Sequence, residues 1–378
     1  MLSRRHLLVS SIAAVGLGLA PRLRAGEPPV SRPDLPVVDD LRRSGTAWLL
    51  SQQQADGRLV PGDRFAVGVT ALGTLALCAP GGTLAKQPAI TSALGFLRSF
   101  RQLDGGFYDP KEGHALYGTA LMLQVFAATG SGGKAEIAAA RDFLLGQPNH
   151  GDDCGFAADA TGVPDLHATT AAIDGLVAAG VDPTDARLKA ALRFVERCQD
   201  RSSGDGREWV TGGGGAVYSP DVRIAGGDHD TSGAAAAQVP VAYGSMTHAL
   251  IADLIVLGVS PDDERIQAAL RWTGQNWTVD RHPGRPAGRA QEGLFGYYAA
   301  AAKCFHLLGV SSLATADGRT IDWRNDLAQA LRDRAQVQRL PDGSTGVVWR
   351  NAADRWGEAL PHLTTAYALL TLAWIGET

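Results

Sequence analysis

The feature that most constrains this chain is an internal repeat. Residues 180–194 match residues 258–272 almost position for position: each copy begins with Gly-Val, continues with Asp or Ser and then Pro, and runs into an apolar-patterned segment. The glycine is predicted to end one helix in the left-handed conformation, and Asp182 or Ser260 to cap the next. Such units bury their apolar faces only against neighbouring units, so the repeat decides the architecture.

Looser copies of the unit fill the chain, each pairing an amphipathic segment with one that is apolar nearly all round. A helix without a polar face must be enclosed by others. We therefore predict an all-α fold, a single (α/α)6 toroid over residues 38–378 with the apolar helices inside, preceded by a linker at 26–37. An open solenoid is the alternative, because stacked helix pairs share the local pattern. The amphipathic segments are 38–53, 88–101, 135–147, 184–199, 262–276 and 324–338, and the apolar ones are 66–79, 115–129, 166–179, 244–257, 294–308 and 361–375.

Each amphipathic segment carries an aromatic or aliphatic residue shortly before a Gln, as in Trp48 before Gln52, and several are followed by a Gly-rich turn. With the segments 243–247, 293–298 and 364–370, this pattern resembles the repeats of squalene/terpene cyclases and protein prenyltransferase β-subunits. The resemblance covers about residues 38–375. It implies the fold strongly and an activity weakly, because function resides in a site and not in a fold.

The prenyltransferase resemblance would imply a zinc ion held by an Asp-x-Cys pair in the fifth repeat and a His in the sixth. Here Thr364 stands where that His is expected, and Glu292-Gly293-Leu294 supplies no Cys. Catalytic zinc needs three protein ligands of N, S or O type. We therefore predict no metal and no other cofactor.

The cyclase resemblance would imply an Asp-x-Asp-Asp motif whose middle carboxylic acid protonates an alkene. The nearest match is Asp228-His229-Asp230-Thr231, which lacks the final Asp. A solvated loop cluster is the alternative interpretation of these residues. Cyclases of this kind also use two helical domains, whereas one is predicted here, so unaided triterpene cyclisation is not favoured.

Polar residues near the starts of the apolar helices are expected to meet at one mouth of a closed ring. His and carboxylate neighbours can exchange protons, and helix N-termini favour anionic ligands. The predicted catalytic residues are Asp165, His167, His248, Glu358 and His362. The predicted ligand-binding residues are His114, Tyr117, Tyr243, Tyr297, Tyr298 and Tyr367, and Asp63 and Glu292 complete the ring.

Several of these residues have a structural alternative. Asp165 is well placed as an N-cap, and His248 lies one turn into an apolar helix, where a satisfied buried His is common. Glu358 and His362 are four residues apart and are able to touch on one helix face. His114 fits a turn, and Tyr297 and Tyr298 fit equally well as packing between helices.

Two insertions interrupt the repeats. Residues 200–242 are too long for an ordinary connection, and such loops are usually functional or disordered; a lid over the mouth is one interpretation. Residues 282–291 and Arg281 are rich in Arg, Pro and Gly and predict either a site for an acidic ligand or an exposed charged loop. Cys154 and Cys198 are able to pair after export, although their spacing does not require it.

The first 25 residues have the features of a signal peptide: Arg4-Arg5, a short apolar run from Leu7 to Ala20, and small residues after it. The Arg pair resembles a twin-arginine signal, which predicts export to the periplasm. The run is too short to span a bilayer, which takes about 20 apolar residues, although an uncleaved anchor is an alternative. No stable membrane span is predicted after cleavage. The net charge of −4 gives no footprint for nucleic acid.

Three functions follow from these observations. The first is an exported toroid that binds an isoprenoid or similar lipid-like ligand, or an anionic one, in a central cavity; if it is an enzyme, it is an isomerase, lyase or transferase. The second is a glycan-acting toroid, which predicts exposed Trp in a polar groove, whereas Trp48 and Trp272 belong to the packed repeat pattern. The third is a non-catalytic binding module with an external apolar patch.

Overall fold

A computed structural model describes residues 35–62, 64–79, 87–148, 155–158, 162–202, 207, 209–221 and 240–376. These residues form twelve α-helices and two small antiparallel sheets, so the prediction of an all-α, helix-rich fold is confirmed. The odd-numbered helices are α1 (Leu35–Ser51), α3 (Pro88–Arg98), α5 (Lys134–Leu145), α7 (Ala186–Arg197), α9 (Glu264–Asn276) and α11 (Trp323–Arg334). The even-numbered helices are α2 (Ala66–Cys78), α4 (Ala115–Thr129), α6 (Leu166–Ala178), α8 (Gly244–Val256), α10 (Leu294–Leu308) and α12 (Pro361–Gly376).

The two sets of helices differ in burial as their sequences predict. In α2, twelve of the thirteen residues are buried, whereas α7 buries one face through residues such as Leu188 and Phe194 and leaves the other face polar. Each even-numbered helix packs against the next one, and α12 packs against α2. The odd-numbered helices lie outside these contacts; α5, for example, touches both α4 and α6. The six apolar helices therefore form a closed series of contacts, in which the last helix packs against the first.

The predicted helix caps in the near-copies are wrong by three residues. Asp185 and Asp263 are the N-caps of α7 and α9, and they accept hydrogen bonds from Arg187 N at 2.8 Å and Arg265 N at 2.9 Å. Asp182 closes a separate turn before α7, because it accepts the amide of Thr184 at 2.8 Å. Asp182 therefore belongs to a turn that precedes the helix, and the helix itself is capped three residues later.

The same hydrogen bond recurs at five of the even-numbered helices. A Thr hydroxyl near the helix start accepts a backbone amide of the preceding loop, at distances between 2.9 and 3.3 Å. In α10 a Tyr takes this place and its hydroxyl donates to Val279 O. These residues mark equivalent positions in the six units, and we call each one the threonine position of its helix. They are Thr70, Thr119, Thr169, Thr247, Tyr298 and Thr365.

The two sheets follow α10 and α11. Strand β1 (Leu313–Ala314) pairs with β2 (Thr320–Ile321), and β3 (Gln336–Arg339) pairs with β4 (Thr345–Val348). The helical segment predicted to reach residue 338 ends at Arg334, because Ala335 is extended and the chain turns back at Gly343 with a φ of 86°. Strand β4 packs against α1, so this hairpin joins the last unit to the first.

Candidate functional site

The residue two places before each threonine position marks a layer near the N-terminal ends of the even-numbered helices. All of its members except Leu363 keep accessible surface, although the helices that carry them are largely buried. Three members are Gly or Ser, which leaves room between the helices. We call this set the mouth layer; it consists of Gly68, Tyr117, His167, Ser245, Gly296 and Leu363.

The glycines show independently that the mouth layer is loosely packed. A Cβ atom built on Gly68 would lie 4.0 Å from its nearest neighbour, Tyr117, and one on Gly296 would lie 3.5 Å from Glu358. A Cβ on Gly118, one position further along α4 than Tyr117, would lie 2.4 Å from Phe107 O. The mouth layer is therefore open where adjacent positions of the same helices are tightly packed.

Tyr117 and Tyr367 meet inside the contacts of the even-numbered helices. Their phenol groups are close enough to influence each other's pKa, although α2 lies between α4 and α12 in the order of packing. Gly68, the mouth-layer residue of α2, makes room for this contact. Burial raises the pKa of both phenols, so both are neutral at physiological pH. A neutral phenol can both donate and accept a hydrogen bond.

His167 extends this polar surface. Its ring stacks on that of Tyr117, with 5.4 Å between centroids and 24° between planes. The side chain is exposed, yet desolvation and the nearby His114 lower its pKa. The His167 side chain is thus accessible and at the same time surrounded by protein. This is expected of a residue that faces the inside of the ring of even-numbered helices. The imidazole is therefore a neutral group that can donate and accept hydrogen bonds.

The rim beside this layer holds every left-handed non-glycine residue of the described chain. These residues are Phe65, His114 and Trp356, with φ of 56°, 55° and 53°. The rings of Phe65 and His114 are in edge contact at 5.7 Å. Bulky residues rarely adopt this conformation, which costs about 1–3 kcal/mol at each position. Such strain tends to accumulate at functional sites, so it supports a site at this end of the helices.

Glu358 binds the start of a neighbouring helix and not His362. It is 1% exposed, its Oε1 accepts the amide of Gly296 at 2.7 Å, and its Oε2 accepts Asn351 Nδ2 at 2.6 Å. Burial raises its pKa to about 7. His362 instead packs on Trp48, 5.2 Å away. The two residues do not share a helix face, because α12 begins only at Pro361.

Side chains bind first-turn amides at three of the helix N-termini at the mouth, those of α6, α8 and α10. Asp165 accepts the amide of Ala168 in α6 at 2.8 Å, as its N-cap interpretation predicted, and Glu358 occupies the start of α10. His282 Nε2 accepts the amide of Ser245 in α8 at 3.0 Å. Burial raises the pKa of Asp165 to about 7 and lowers that of His282 to about 3. Amides that an anionic ligand would need are therefore engaged in α6, α8 and α10, whereas α2 and α4 begin without a side-chain cap.

His248 and Tyr297 lie in an aromatic cluster between α8 and α10. The His248 ring is 5.6 Å from Tyr297 and 5.5 Å from Phe305, and its Nδ1 is 2.7 Å from Gly244 O. Burial lowers its pKa to about 4. Tyr297 donates to Thr278 O at 3.0 Å, and Tyr298 donates to Val279 O. These residues pack the helices against the loop after α9, and the structure does not bring them to the mouth layer.

The arginines of the loop at 282–291 are paired with a carboxylate, whereas residues 286–288 are exposed. The Arg285 side chain is 5% exposed and contacts Glu292 at 2.5 Å, and Arg289 contacts the same carboxylate at 2.8 Å. The Arg285 guanidinium also lies over the rings of Tyr243 and Trp356. Tyr243 is thereby buried at the start of α8, away from the Tyr117–Tyr367 contact. The loop is a packed support for the rim.

Charged residues deeper in the helices were missed by sequence reasoning. Lys303 Nζ contacts the Asp174 carboxylate at 2.5 and 2.6 Å. Asp253, 1% exposed, accepts the hydroxyl of Thr170 at 2.7 Å, and burial together with Asp174 raises its pKa well above the usual range. The sequence contained a signal for these residues, because they are charged residues within otherwise apolar helices.

Several predicted elements lie outside the described residues: Asp63, Asp228, Asp230, Cys154 and most of the insertion at 200–242. Cys198, the other half of the suggested pair, is buried. Within the described ranges, no three His, Cys, Asp or Glu side chains converge as metal ligands. Nor does any helix there have the length and apolar character needed to cross a bilayer.

No protein-family model and no curated protein matches the chain. Solved structures do match its fold. The type II terpene cyclase MstE from Scytonema aligns with a TM-score of 0.55 at 15% identity, over 90% of this chain and 98% of that one. A protein from Actinoplanes gives 0.53 at 15%, over 90% and 100%. An α-amylase from Clostridium perfringens gives 0.54 at 9%, over 91% and 99%.

At such identities these similarities establish the fold alone: the chain is folded like these three structures, which include a terpene cyclase and an α-amylase.

Proposed function

We propose that this protein is a single (α/α)6 toroid that binds a neutral, oxygen-bearing, lipid-like molecule of the isoprenoid class through its mouth layer. The contacts that run from α2 round to α12 and back to α2 support the toroid. The neighbouring phenols of Tyr117 and Tyr367, with His167 stacked on Tyr117, carry the proposal for the ligand. They are uncharged groups on an accessible inner wall, suited to a hydroxyl or carbonyl oxygen.

The surroundings of these groups fit an apolar ligand body. Further along the helices, the residues on the same faces as Tyr117 and Tyr367 are mostly Leu and Ala, such as Leu72, Leu121 and Ala300. Burying apolar ligand surface there supplies most of the binding free energy, and the few polar groups fix its orientation. MstE has been solved with geranylgeranyl dihydroxybenzoate as substrate, a molecule with a long apolar body and an oxygenated end.

Native mass spectrometry of the purified protein, with farnesol as the added probe, tests this proposal. We expect one farnesol per chain, and about fivefold weaker binding in the Tyr117→Phe/Tyr367→Phe variant, because a neutral hydrogen bond contributes about 1 kcal/mol. Tyr298→Phe is the matched control, since its hydroxyl bonds Val279 O away from the mouth. A protein that binds no farnesol contradicts the proposal.

We also propose that the protein is exported through the twin-arginine-like segment. The basic Arg4-Arg5 pair before a short apolar run supports this. Cell fractionation should recover the protein in the periplasm and the Arg4→Lys/Arg5→Lys variant in the cytoplasm. Equal periplasmic recovery of both would contradict export by this route.

A glycan is the second candidate ligand, favoured by one observation. Trp356 is 42% exposed at the rim and has guanidinium groups of Arg285 and Arg355 over its ring, each 5.2 Å from the centroid. Exposed Trp at the edge of a polar groove is what the glycan hypothesis predicts, and this residue was not identified from the sequence. Loss of oligosaccharide binding in Trp356→Ala, with farnesol binding absent in the parent protein, would support this alternative.

A further inference from the structure

One ion pair bridges two even-numbered helices that are not neighbours. Lys303 in α10 contacts Asp174 in α6, and α8 lies between these helices in the order of packing. Both residues stand five places after the threonine position of their helix. The residue of α8 at the same place is Ala252, which is small enough for the ion pair to pass over it. The bridge therefore crosses the interior of the six helices.

The bridge lies on the same helix faces as the mouth layer. Residues three or four places apart lie on the same face of a helix. Such a stripe runs along each helix through the positions two before, two after, five after and nine after the threonine position. We call the residues five places after it the floor layer; they are Leu75, Gln124, Asp174, Ala252, Lys303 and Leu370. Seven residues separate the two layers, which is about 10 Å along a helix.

Beyond the floor layer the stripe is entirely apolar. The residues nine places after the threonine position, which we call the lower layer, are Ala79, Ala128, Ala178, Val256, Leu307 and Trp374. The charged bridge thus separates a polar mouth from an apolar end. The Lys303 and Asp174 side chains are 23% and 20% exposed, so they are only partly hydrated, and an alkyl chain that entered between them would offer nothing to replace the ion pair.

We infer that the Asp174–Lys303 ion pair is the floor of the ligand site and limits the length of the apolar tail that the protein accepts. This inference rests on the proposed function, because it assigns the ligand's tail to the space between the mouth and floor layers. Asp253, hydrogen-bonded to Thr170 beside the pair, belongs to the same floor. Tails longer than the available depth are forced back towards the mouth.

A series of straight-chain alcohols from 1-butanol to 1-dodecanol, titrated calorimetrically into the full chain, tests the inference. Each added methylene that becomes buried should lower Kd about fourfold. In the wild-type protein this gain should stop at roughly eight carbons, the length that fills ~10 Å. A gain that continues without a break to dodecanol would overturn the inference.

The decisive variant is Asp174→Ala/Lys303→Ala, which removes both charges and leaves neither unpaired. Its Kd should keep falling for about four further carbons, since the lower layer is four residues, or about 6 Å, deeper. The matched control is Glu196→Ala/Arg265→Ala, which removes an ion pair between α7 and α9 on the outside of the fold. The control should keep the wild-type limit.

The outcomes separate the inference from the proposed function. If no alcohol binds at any length, the proposed function fails. If alcohols bind and the limit is identical in the wild-type and Asp174/Lys303 variant proteins, the ligand site stands and the floor is elsewhere. Circular dichroism and thermal melting establish that the variant is folded. Lys303→Met/Asp174→Leu, which refills the space with apolar side chains, provides a second test: its limit should lie beyond that of the wild type, because no ion pair has to be broken for the tail to pass.

Discussion

The α4–α6 side and the α8–α10 side of the molecule use the same residue types for different purposes. On the first side, Tyr117 and His167 stand two places before the threonine position and border accessible space. On the second, Tyr297 and His248 stand one place before and one place after it, and are buried against each other. A shift of one to three residues rotates a side chain by about 100° per residue round a helix. Position within the repeat, and not residue type, therefore decides which aromatic and His side chains are available to a ligand.

The largest expected difference between the two sides is in stability. Phe305 is fully buried, 5.5 Å from both His248 and Trp277, so Phe305→Ala should lower the free energy of unfolding by about 3–5 kcal/mol. Tyr117→Ala on the accessible side should cost less than half as much, because its ring leaves a smaller cavity. Urea denaturation of both variants measures this. Equal losses would mean that Tyr117 packs as tightly as Phe305.

Glycine substitutions test the same contrast within one part of the molecule. Gly118→Ala places a methyl group 2.4 Å from Phe107 O and should cost about 1–3 kcal/mol through overpacking. Gly68→Ala at the mouth meets nothing closer than 4.0 Å and should stabilise α2 by about 0.5–1 kcal/mol, since Gly is a poor helix former. The melting temperatures should therefore move in opposite directions, and a shared decrease would remove the evidence for open space at Gly68.

Sequence reasoning reached the helices because their apolar periodicity and their Gly punctuation are local. The even-numbered helices begin at or within one residue of their predicted starts, and Gly180 and Gly258 have the expected positive φ. The site was harder to predict, because the direction of a side chain depends on the exact position in the repeat. The recurring Thr supplies that position. Aligned on Thr119 and Tyr298, the sequence itself separates Tyr117 from Tyr297.

Side-chain contacts between helices could not be predicted from the sequence, for a different reason. The Asp174–Lys303 pair joins residues 129 positions apart, and nothing local predicts which two of six helices such a bridge connects. Glu358 shows the same limit: its spacing to His362 suggested a helical pair, but the chain turns before α12 and sends the carboxylate to Gly296. The spacing of four residues predicted a contact between Glu358 and His362 that the structure does not contain, because Glu358 precedes the helix.

Two buried groups on the α8–α10 side should contribute opposite pH dependences to the stability of the protein. Glu358 has a pKa raised by burial from 4.5 to about 7, so the folded state holds a proton that the unfolded state releases, and its contribution falls as pH rises from 4.5 to 7. His248 has a pKa lowered by burial from 6.5 to about 4, so its contribution falls as pH drops from 6.5 to 4.

Glu358→Gln and His248→Phe separate these contributions. Relative to wild type, Glu358→Gln should gain about 2 kcal/mol between pH 5 and pH 7.5, and His248→Phe should gain a similar amount between pH 7 and pH 4.5. Urea denaturation across this pH range measures both, with Asp142→Asn as an exposed carboxyl control. If Glu358→Gln follows wild type at every pH, the Glu358 carboxyl is ionised in the folded protein.

The smallest expected effects come from removing a single tyrosine hydroxyl on each side. They distinguish the two sides most directly, because the two variants lose the same atom. Tyr297→Phe removes the bond to Thr278 O and should lower the free energy of unfolding by about 1 kcal/mol, with farnesol binding unchanged. Tyr117→Phe keeps the ring against His167 and should leave stability within about 0.5 kcal/mol, while farnesol binding weakens severalfold. The two variants lose the same atom, so a difference in total hydrophobic area cannot explain opposite results. If Tyr117→Phe destabilises the fold and leaves binding intact, its hydroxyl serves the Tyr367 contact alone, and the mouth layer has lost the group that distinguishes it from the buried side.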